Sequence, residues 1–370
     1  MRPCIPAGFL PRALCALCVC AGLGGSSAFA QERLTLLFAG DLMQHQAQLD
    51  AARTPDGYDY AECFRHVQAE IERADVAIGN LEVTLGGPPY AGYPAFSAPD
   101  AYAEAIREAG FDVLLTANNH CLDRGRHGLE RTIRVLDSMR VAHVGTYRTP
   151  DERASRYPLR IEKNGFVIAL LCYTYGTNGI AVQAPNVVNY IDREQMAKDI
   201  LEARRMKPDA IIACVHWGTE YRSMPDASQR ELADWMLAQG VTHVIGGHPH
   251  VVQPMEARPD SRVPDRHVVV YSLGNCLSNM SAPETDGGAW VKLELKRYGR
   301  IVRLAECRYC LVWTSRPALS GRRSHVLYPV NVDHSLLNPT ERARMHRFVD
   351  GARALLDCHN VGVEEYEMAK

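Results

Sequence analysis

Residues 241–250 read VTHVIGGHPH, an apolar segment that ends in two histidines. The apolar run Val241–Ile245 predicts a buried strand, and the glycines and proline after it predict a loop at the end of that strand. Histidine is the commonest metal ligand among side chains. Because Pro249 leaves little freedom between His248 and His250, both imidazoles point into one small volume. The segment therefore predicts metal-binding groups at the end of a buried strand.

Other strand-like runs alternate with amphipathic helical patterns through most of the chain. The remaining predicted strands are Leu34–Ala39, Val76–Ile78, Val113–Thr116, Phe166–Tyr173, Ala210–Val215 and His267–Ser272. The predicted helices are Ala61–Arg73, Ala101–Ala109, Leu129–Met139, Arg193–Met206 and Gln229–Gln239. Strands that alternate with helices in this way predict an α/β layered fold.

The pattern changes in the last quarter of the chain. The runs Trp290–Lys296 and Ile301–Trp313 alternate polar and apolar residues around Tyr298-Gly299, which predicts a β-hairpin. Residues 315–333 are expected to form a loop. Asn338, followed by proline and threonine, is expected to begin a terminal helix.

The first thirty residues have the pattern of a secretory signal peptide. Two arginines supply positive charge, Ala13–Leu23 is apolar but too short to span a bilayer, and Ala28-Phe29-Ala30 fits a cleavage site. We expect an exported protein, periplasmic or extracellular, that begins at Gln31. An uncleaved anchor, or a lipid on one of the leader cysteines, would instead leave the protein membrane-associated.

Length and composition suit one large globular domain. The 370 residues carry a formal net charge of −2, and 46% of them are hydrophobic. This charge balance predicts no nucleic-acid partner. We divide the chain into the signal peptide (1–30), a main domain (31–314) and a C-terminal extension with a helix (315–370).

Metal-binding side chains follow the predicted strands at their carboxyl ends, where open α/β sheets bind their ligands. The candidate ligands are two carboxylates, an amide and three imidazoles: Asp41, Glu82, Asn119, His216, His248 and His250. Oxygen and nitrogen donors of this kind suit one or two divalent metal ions, such as Mn, Fe or Zn. Two ions need a bridging carboxylate, and Glu82 is the best placed, between the first and third strands.

Further polar residues at the same strand ends either support these ligands or touch substrate. They are Asn80, Asn118, Asp123, Glu220 and Asn275. Asp123 is either a brace within its loop or a ligand. Glu220, four residues past His216, belongs either to the site or to the surface. The segment Tyr173–Asn178 either lines the cleft or closes a turn.

At these residues the chain resembles the CapA family, associated with poly-γ-glutamate capsule synthesis, within the calcineurin-like metallophosphoesterase superfamily. The resembling segments are AGDLM, IGNLE, TANNHCLDRG, VHWGTEY, GGHPHVVQPME and YSLGN, in family order from about Leu34 to Trp290. The resemblance implies a four-layer α/β/β/α metallophosphoesterase-like sandwich whose metal site lies at the strand ends.

The resemblance also implies roles for the candidate residues. Asp41 and His250 correspond to ligands of a first metal, Glu82 to the bridge, Asn119, His216 and His248 to ligands of a second metal, and His120 to the acid/base histidine. Asp41-Leu42-Met43 departs from the Asp-x-His usual in superfamily phosphoesterases, although Met43 agrees with the CapA pattern. The first position has therefore lost an imidazole, for which His45 or Asn80 would compensate.

The residues and the resemblance together predict an exported, metal-dependent hydrolase-like protein of capsule or cell-envelope polymer metabolism. Its partner would be an anionic envelope polymer or a small phosphorylated or peptidic substrate, and a membrane-bound capsule synthase is a further candidate. The ligand cluster does not choose between a phosphoester and an amide bond. A non-catalytic capsule-synthesis subunit or polymer-binding scaffold with a residual metal site is the competing prediction.

Overall fold

The computed structural model describes residues 32–259 and 265–369. The predicted signal peptide, residues 1–30, lies outside this part of the chain. Among the helices of the described residues, none is long and apolar enough to cross a membrane.

The secondary structure follows the expected alternation. The strands are β1 (Arg33–Leu42), β2 (Arg53–Thr54), β3 (Gly57–Tyr58), β4 (Val76–Leu81), β5 (Val113–Leu115), β6 (Ala142–Val144), β7 (Thr146–Tyr147), β8 (Leu159–Lys163), β9 (Phe166–Thr174), β10 (Val187–Val188), β11 (Ala210–His216), β12 (His243–Gly247), β13 (Met255–Pro259), β14 (Arg266–Val270), β15 (Asn275–Leu277), β16 (Gly287–Tyr298), β17 (Ile301–Ser315), β18 (Val326–Pro329) and β19 (Glu364–Glu365). The helices are α1 (Gln46–Ala52), α2 (Gln68–Arg73), α3 (Asp100–Glu108), α4 (Gly125–Ser138), α5 (Pro150–Arg156), α6 (Arg193–Arg205), α7 (Ala227–Gln239), α8 (Pro317–Ser320) and α9 (Pro339–His359).

Two mixed sheets form the centre of the protein. The first has the strand order β18-β17-β16-β1-β4-β5-β6, with β15 beside β1 and β19 beside β17. The second has the order β13-β14-β12-β11-β9-β8. In each sheet the central strands run parallel, as β1, β4, β5 and β6 do in the first and β9, β11, β12 and β14 in the second.

The two sheets pack face to face, and helices cover their outer faces. Side chains of Phe38 on β1 and Leu170 on β9 belong to the core between the sheets. Alternate residues point outward, because successive side chains of a strand face opposite sides. Leu37 packs with α3 and α4, whereas the Tyr173 hydroxyl donates a hydrogen bond to Asp199 of α6. The predicted four-layer α/β/β/α sandwich is therefore confirmed.

Two stretches differ from the sequence-based expectation. The helix expected over 61–73 is a 3₁₀ turn at Ala61–Cys63 followed by the shorter α2. The loop expected over 315–333 contains β18, which pairs with β17, because Leu327 is fully buried against the first sheet.

The other C-terminal expectations agree with the structure. Strands β16 and β17 form the expected antiparallel hairpin. The expected terminal helix is α9, and Asn338 is its N-cap residue. The Asn338 side chain accepts the Glu341 N–H at 2.9 Å, which satisfies one of the free N–H groups at the start of the helix.

We predict that Leu327→Ala lowers the free energy of unfolding by about 2–5 kcal/mol, because it removes a fully buried side chain and leaves a cavity. Leu336→Ala is the matched control, since Leu336 is 46% exposed and its loss changes little. Urea denaturation of both variants measures the difference. Equal stabilities would contradict the integration of β18 into the core.

Candidate metal centre

The carboxyl ends of strands from both sheets meet at one edge of the sandwich. Asp41 near the end of β1 pairs in register with Asn80 of β4 and with Asn275 of β15. From the second sheet, His216 ends β11 and pairs with Gly247, which ends β12. The structure therefore brings the strand-end residues of two separate sheets to the same place.

The candidate ligands form two groups that share one carboxylate. In the first, one ligand atom each from Asp41, Glu82 and His250 lie within 4.8 Å of one another. In the second, Glu82, His216 and His248 satisfy the same condition. All five side chains are buried. Glu82 is thus the residue that the two groups have in common.

Distances between individual atoms describe the same cluster. Glu82 Oε1 lies 3.6 Å from His216 Nε2 and 3.9 Å from His250 Nε2. Asp41 Oδ2 lies 3.3 Å from His250 Nδ1. Asn119 joins the second group through its Oδ1, which is 2.8 Å from His216 Nε2. The structure thus places all six candidate ligands together.

Three amide side chains hold the ligands in position. Asn118 Nδ2 donates to Asn80 Oδ1 at 3.1 Å, and Asn80 Nδ2 donates to Asp41 Oδ1 at 2.8 Å. Asn275 Oδ1 lies 3.1 Å from His250 Nδ1, which leaves the Nε2 of that ring for Glu82 or an ion. Partners that fix the orientation and tautomer of a ligand are typical of metal sites.

His120 and Asp123 form a pair beside the ligands. His120 Nδ1 lies 2.7 Å from Asp123 Oδ2, and Asp123 Oδ2 also accepts the Phe96 N–H at 2.8 Å. Asp123 is therefore a brace that orients His120. Asn178 contacts both His120 and Asn119, at 3.5 Å and 3.2 Å. Burial opposes protonation of His120, but the hydrogen bond to Asp123 and the charge of Glu82 raise its pKa above the usual value.

The histidine loop has an unusual backbone. His248 and His250 both have positive φ, of 100° and 60°, a region that residues other than glycine rarely occupy. Such conformations cluster at functional sites, where the surrounding structure holds them. Gly246 precedes them, and a Cβ there would come within 2.1 Å of the Tyr271 carbonyl oxygen. The glycine thus permits the close approach of the chain to Tyr271 just before the histidine loop.

The two imidazoles of the second group are held in the form that binds metals. Burial lowers the pKa of His216 to about 3 and that of His248 to about 2. Both rings are therefore neutral at pH 7, the form in which histidine binds metals. Burial and the charge of Asp41 raise the pKa of Glu82 well above its usual range.

In the first group, by contrast, the histidine is held in its charged form. Burial lowers the pKa of His250, but the charges of Glu82 and Asp41 and the contact with Asp41 raise it to about 9 overall. Burial would raise the pKa of Asp41, but the contact with His250 and the charges of His216 and His250 hold it well below its usual range. Without a cation, the His250 ring carries the positive charge that balances Asp41.

Two buried atoms of the cluster fit a cation. Glu82 Oε1 and His248 Nδ1 have no hydrogen-bond partner within the described residues. An unsatisfied buried polar atom is costly, and coordination to a divalent ion would satisfy the carboxylate oxygen. The oxygen and nitrogen donors also match the chemistry of Mn, Fe or Zn.

The two residues suggested as replacements for the missing imidazole hold other hydrogen bonds in the structure. His45 Nδ1 accepts the Asn279 N–H at 3.3 Å, and His45 is the N-cap residue of α1. Asn80 is hydrogen-bonded to Asp41. The Met43 side chain is buried in the same apolar cluster as side chains of α3.

Aromatic side chains line the mouth of the cluster. The Tyr175 ring lies 4.5 Å from that of His248, and the Tyr221 ring lies 6.3 Å from that of His250. Tyr93 approaches His120 at 6.5 Å and is 71% exposed. Sequence reasoning left Tyr175 and the neighbouring Asn178 open and missed Tyr221. Their position shortly after β9 and β11 is the signal that could have identified them.

Comparison with known sequences identifies the family. The profile of the family described as "Bacterial capsule synthesis protein PGA_cap" matches residues 35–280. This chain belongs to the PGA_cap family. The matched range begins in β1, extends beyond β15 and contains every candidate ligand. Membership in the PGA_cap family confirms the resemblance to CapA proteins.

Individual relatives agree with the PGA_cap assignment. The chain is 28% identical to the capsule biosynthesis protein CapA of Bacillus anthracis over 283 residues, which are 73% of this chain and 66% of that protein. It is also 28% identical to the PGA biosynthesis protein CapA of Bacillus subtilis over 284 residues, 73% of this chain and 70% of that protein. The chain therefore spans slightly less than two thirds of the Bacillus anthracis protein.

A solved structure of a calcineurin-like phosphoesterase also aligns with this PGA_cap protein. YfkN of Bacillus subtilis aligns over 87% of this chain and 98% of its own, at 14% identity and a TM-score of 0.45.

We predict that Glu82→Gln lowers the metal content of the purified protein further than loss of any other single ligand, because both groups use this carboxylate. Elemental analysis after dialysis against Mn²⁺ measures the bound equivalents. Glu231→Gln, an exposed position on α7, serves as control. A Glu82→Gln protein with the metal content of wild type would contradict the bridging role.

Proposed function

We propose that this chain is an exported, metal-dependent hydrolase that cleaves a bond in an anionic capsule or cell-envelope polymer. The observation that carries the proposal is the pair of buried ligand groups that share Glu82, with His120 and Asp123 beside them. Membership in a capsule synthesis family supports the polymer as substrate. Export is supported by the signal-peptide pattern of residues 1–30.

The residues divide into ligands and groups that handle protons. Asp41, Glu82 and His250 would hold one divalent ion, and Glu82, Asn119, His216 and His248 would hold a second. A bound divalent ion supplies Lewis acidity and lowers the pKa of a water molecule that it coordinates. Asn80 and Asn118 keep the Asp41 carboxylate oriented.

His120 is placed to protonate the leaving group. Asp123 occupies its Nδ1, so that Nε2 is the ring nitrogen left for substrate. Because the Asp123 hydrogen bond raises the pKa of His120 despite its burial, the ring retains a proton to a higher pH than an ordinary histidine. A proton donated from Nε2 would serve an alkoxide or an amine leaving group equally well.

The mouth of the site favours an extended substrate over a small enclosed one. Tyr93, Tyr175 and Tyr221 are all exposed around the ligands. Exposed tyrosines offer flat apolar area together with a hydroxyl group. A polymer with alternating methylene, amide and carboxylate groups could lie across such a surface.

We predict that His120→Ala reduces turnover by about 10²–10⁴-fold, the usual contribution of a general acid or base, while bound metal is unchanged. Mn²⁺-loaded protein would be assayed in parallel on bis(p-nitrophenyl) phosphate and on poly-γ-glutamate. The two substrates decide between phosphoester and amide chemistry.

His127→Ala is the control, because His127 is exposed on α4. Loss of metal from His120→Ala would contradict the prediction that His120 acts as the acid without binding the metal. Wild-type protein that binds Mn²⁺ but cleaves neither substrate class would favour a polymer-binding scaffold over a hydrolase.

A further inference from the structure

The loop after β11 is attached to the histidine loop after β12. The Trp217 N–H donates to the Gly247 carbonyl at 3.1 Å, and the Tyr221 N–H donates to the Pro249 carbonyl at 2.8 Å. Tyr221 has a positive φ of 64°. These contacts fix the chain on both sides of Glu220 and hold that residue against His248 and His250.

Glu220 reaches the same imidazoles that Glu82 reaches. One carboxylate oxygen of Glu220 and one ring nitrogen each of His248 and His250 lie within 4.8 Å of one another. Glu82 is fully buried, whereas Glu220 is exposed. The two histidines therefore lie between a buried carboxylate and one at the solvent side.

The first and second ligand groups, which would hold the first and second ions, differ in their number of candidate ligands. The second position has Glu82, Asn119, His216 and His248, whereas the first has Asp41, Glu82 and His250. Met43 is turned into the core, and His45 and Asn80 are committed to other hydrogen bonds. Zn sites with protein ligands alone take four donors, and Mn takes more. The first position thus has fewer donors than the second, and Glu220 lies beside its His250.

We propose that Glu220 is a metal ligand that closes the first position from the solvent side. This inference rests on the metal centre of the proposed function and adds to it a ligand from the loop after β11. The Glu220 carboxylate lies beside His250 of the first position and His248 of the second. An exposed ligand of this kind can be displaced by an anionic substrate group without disturbing the buried ligands.

The test measures binding of Mn²⁺ alone to full-length Glu220→Gln by isothermal titration calorimetry. We expect the dissociation constant of one bound equivalent to rise at least about tenfold, the smaller end of what loss of a group supporting a bound metal costs. The other equivalent should keep the wild-type affinity. Glu231→Gln, an exposed carboxylate on α7, should bind both equivalents as wild type does.

The outcomes distinguish a failure of this inference alone from a failure of the proposed function as well. Wild-type Mn²⁺ affinity and stoichiometry in Glu220→Gln would overturn the role of Glu220 without affecting the proposal for the first and second ligand groups. A wild-type protein that binds no Mn²⁺ would overturn both. Circular dichroism of Glu220→Gln checks folding, which the change of an exposed side chain should leave intact.

Discussion

Asp41 and Glu82 are buried where the two sheets meet, and the side chains around them must compensate for the loss of contact with water. Both carboxylates are fully buried, and an ionised group removed from water costs several kcal/mol unless it is paired and hydrogen-bonded. Asp41 is compensated by His250 and Asn80. Glu82 keeps an oxygen without a hydrogen-bond partner in the described residues. A divalent ion, as we propose, would satisfy the buried ligand atoms of the cluster together.

The sandwich supplies the geometry that this arrangement needs. Parallel strands in each sheet end at the same edge, so that β1 and β4 deliver the carboxylates while β11 and β12 deliver the imidazoles. The histidine loop has positive φ at His248 and His250, and Gly246 before it lies close to the Tyr271 carbonyl. Tyr93, Tyr175 and Tyr221 are exposed around the buried ligand cluster, and Glu220 lies at its solvent side.

Much of this organisation was predictable from the order of residues. Each candidate ligand follows an apolar run, and the rule that strand ends meet at one edge groups the candidates within each sheet. The resemblance to a two-sheet sandwich is what brings Asp41 to His216 and His250. The assignment of Glu82 as the shared carboxylate also followed from its place between two strands. Roles of the ligands in binding an ion stay predictions, because no contact within the chain tests them.

The remaining features depend on tertiary structure that local patterns do not contain. Val326–Pro329 forms β18 only because β17 offers it an edge. The contact of Asn178 with His120 joins residues 58 positions apart in the sequence. His248 has positive φ although it is not a glycine, so the sequence does not predict this conformation. Whether Asp123 was a ligand or a brace was settled by its distance to His120.

Anomalous X-ray scattering at the manganese edge, from crystals of protein loaded with Mn²⁺, tests the central claim most directly. We expect two peaks separated by the Glu82 carboxylate, one beside Asp41 and His250 and the other beside Asn119, His216 and His248. A loaded crystal with no peak at Glu82, or with its only peak elsewhere on the protein, would contradict it.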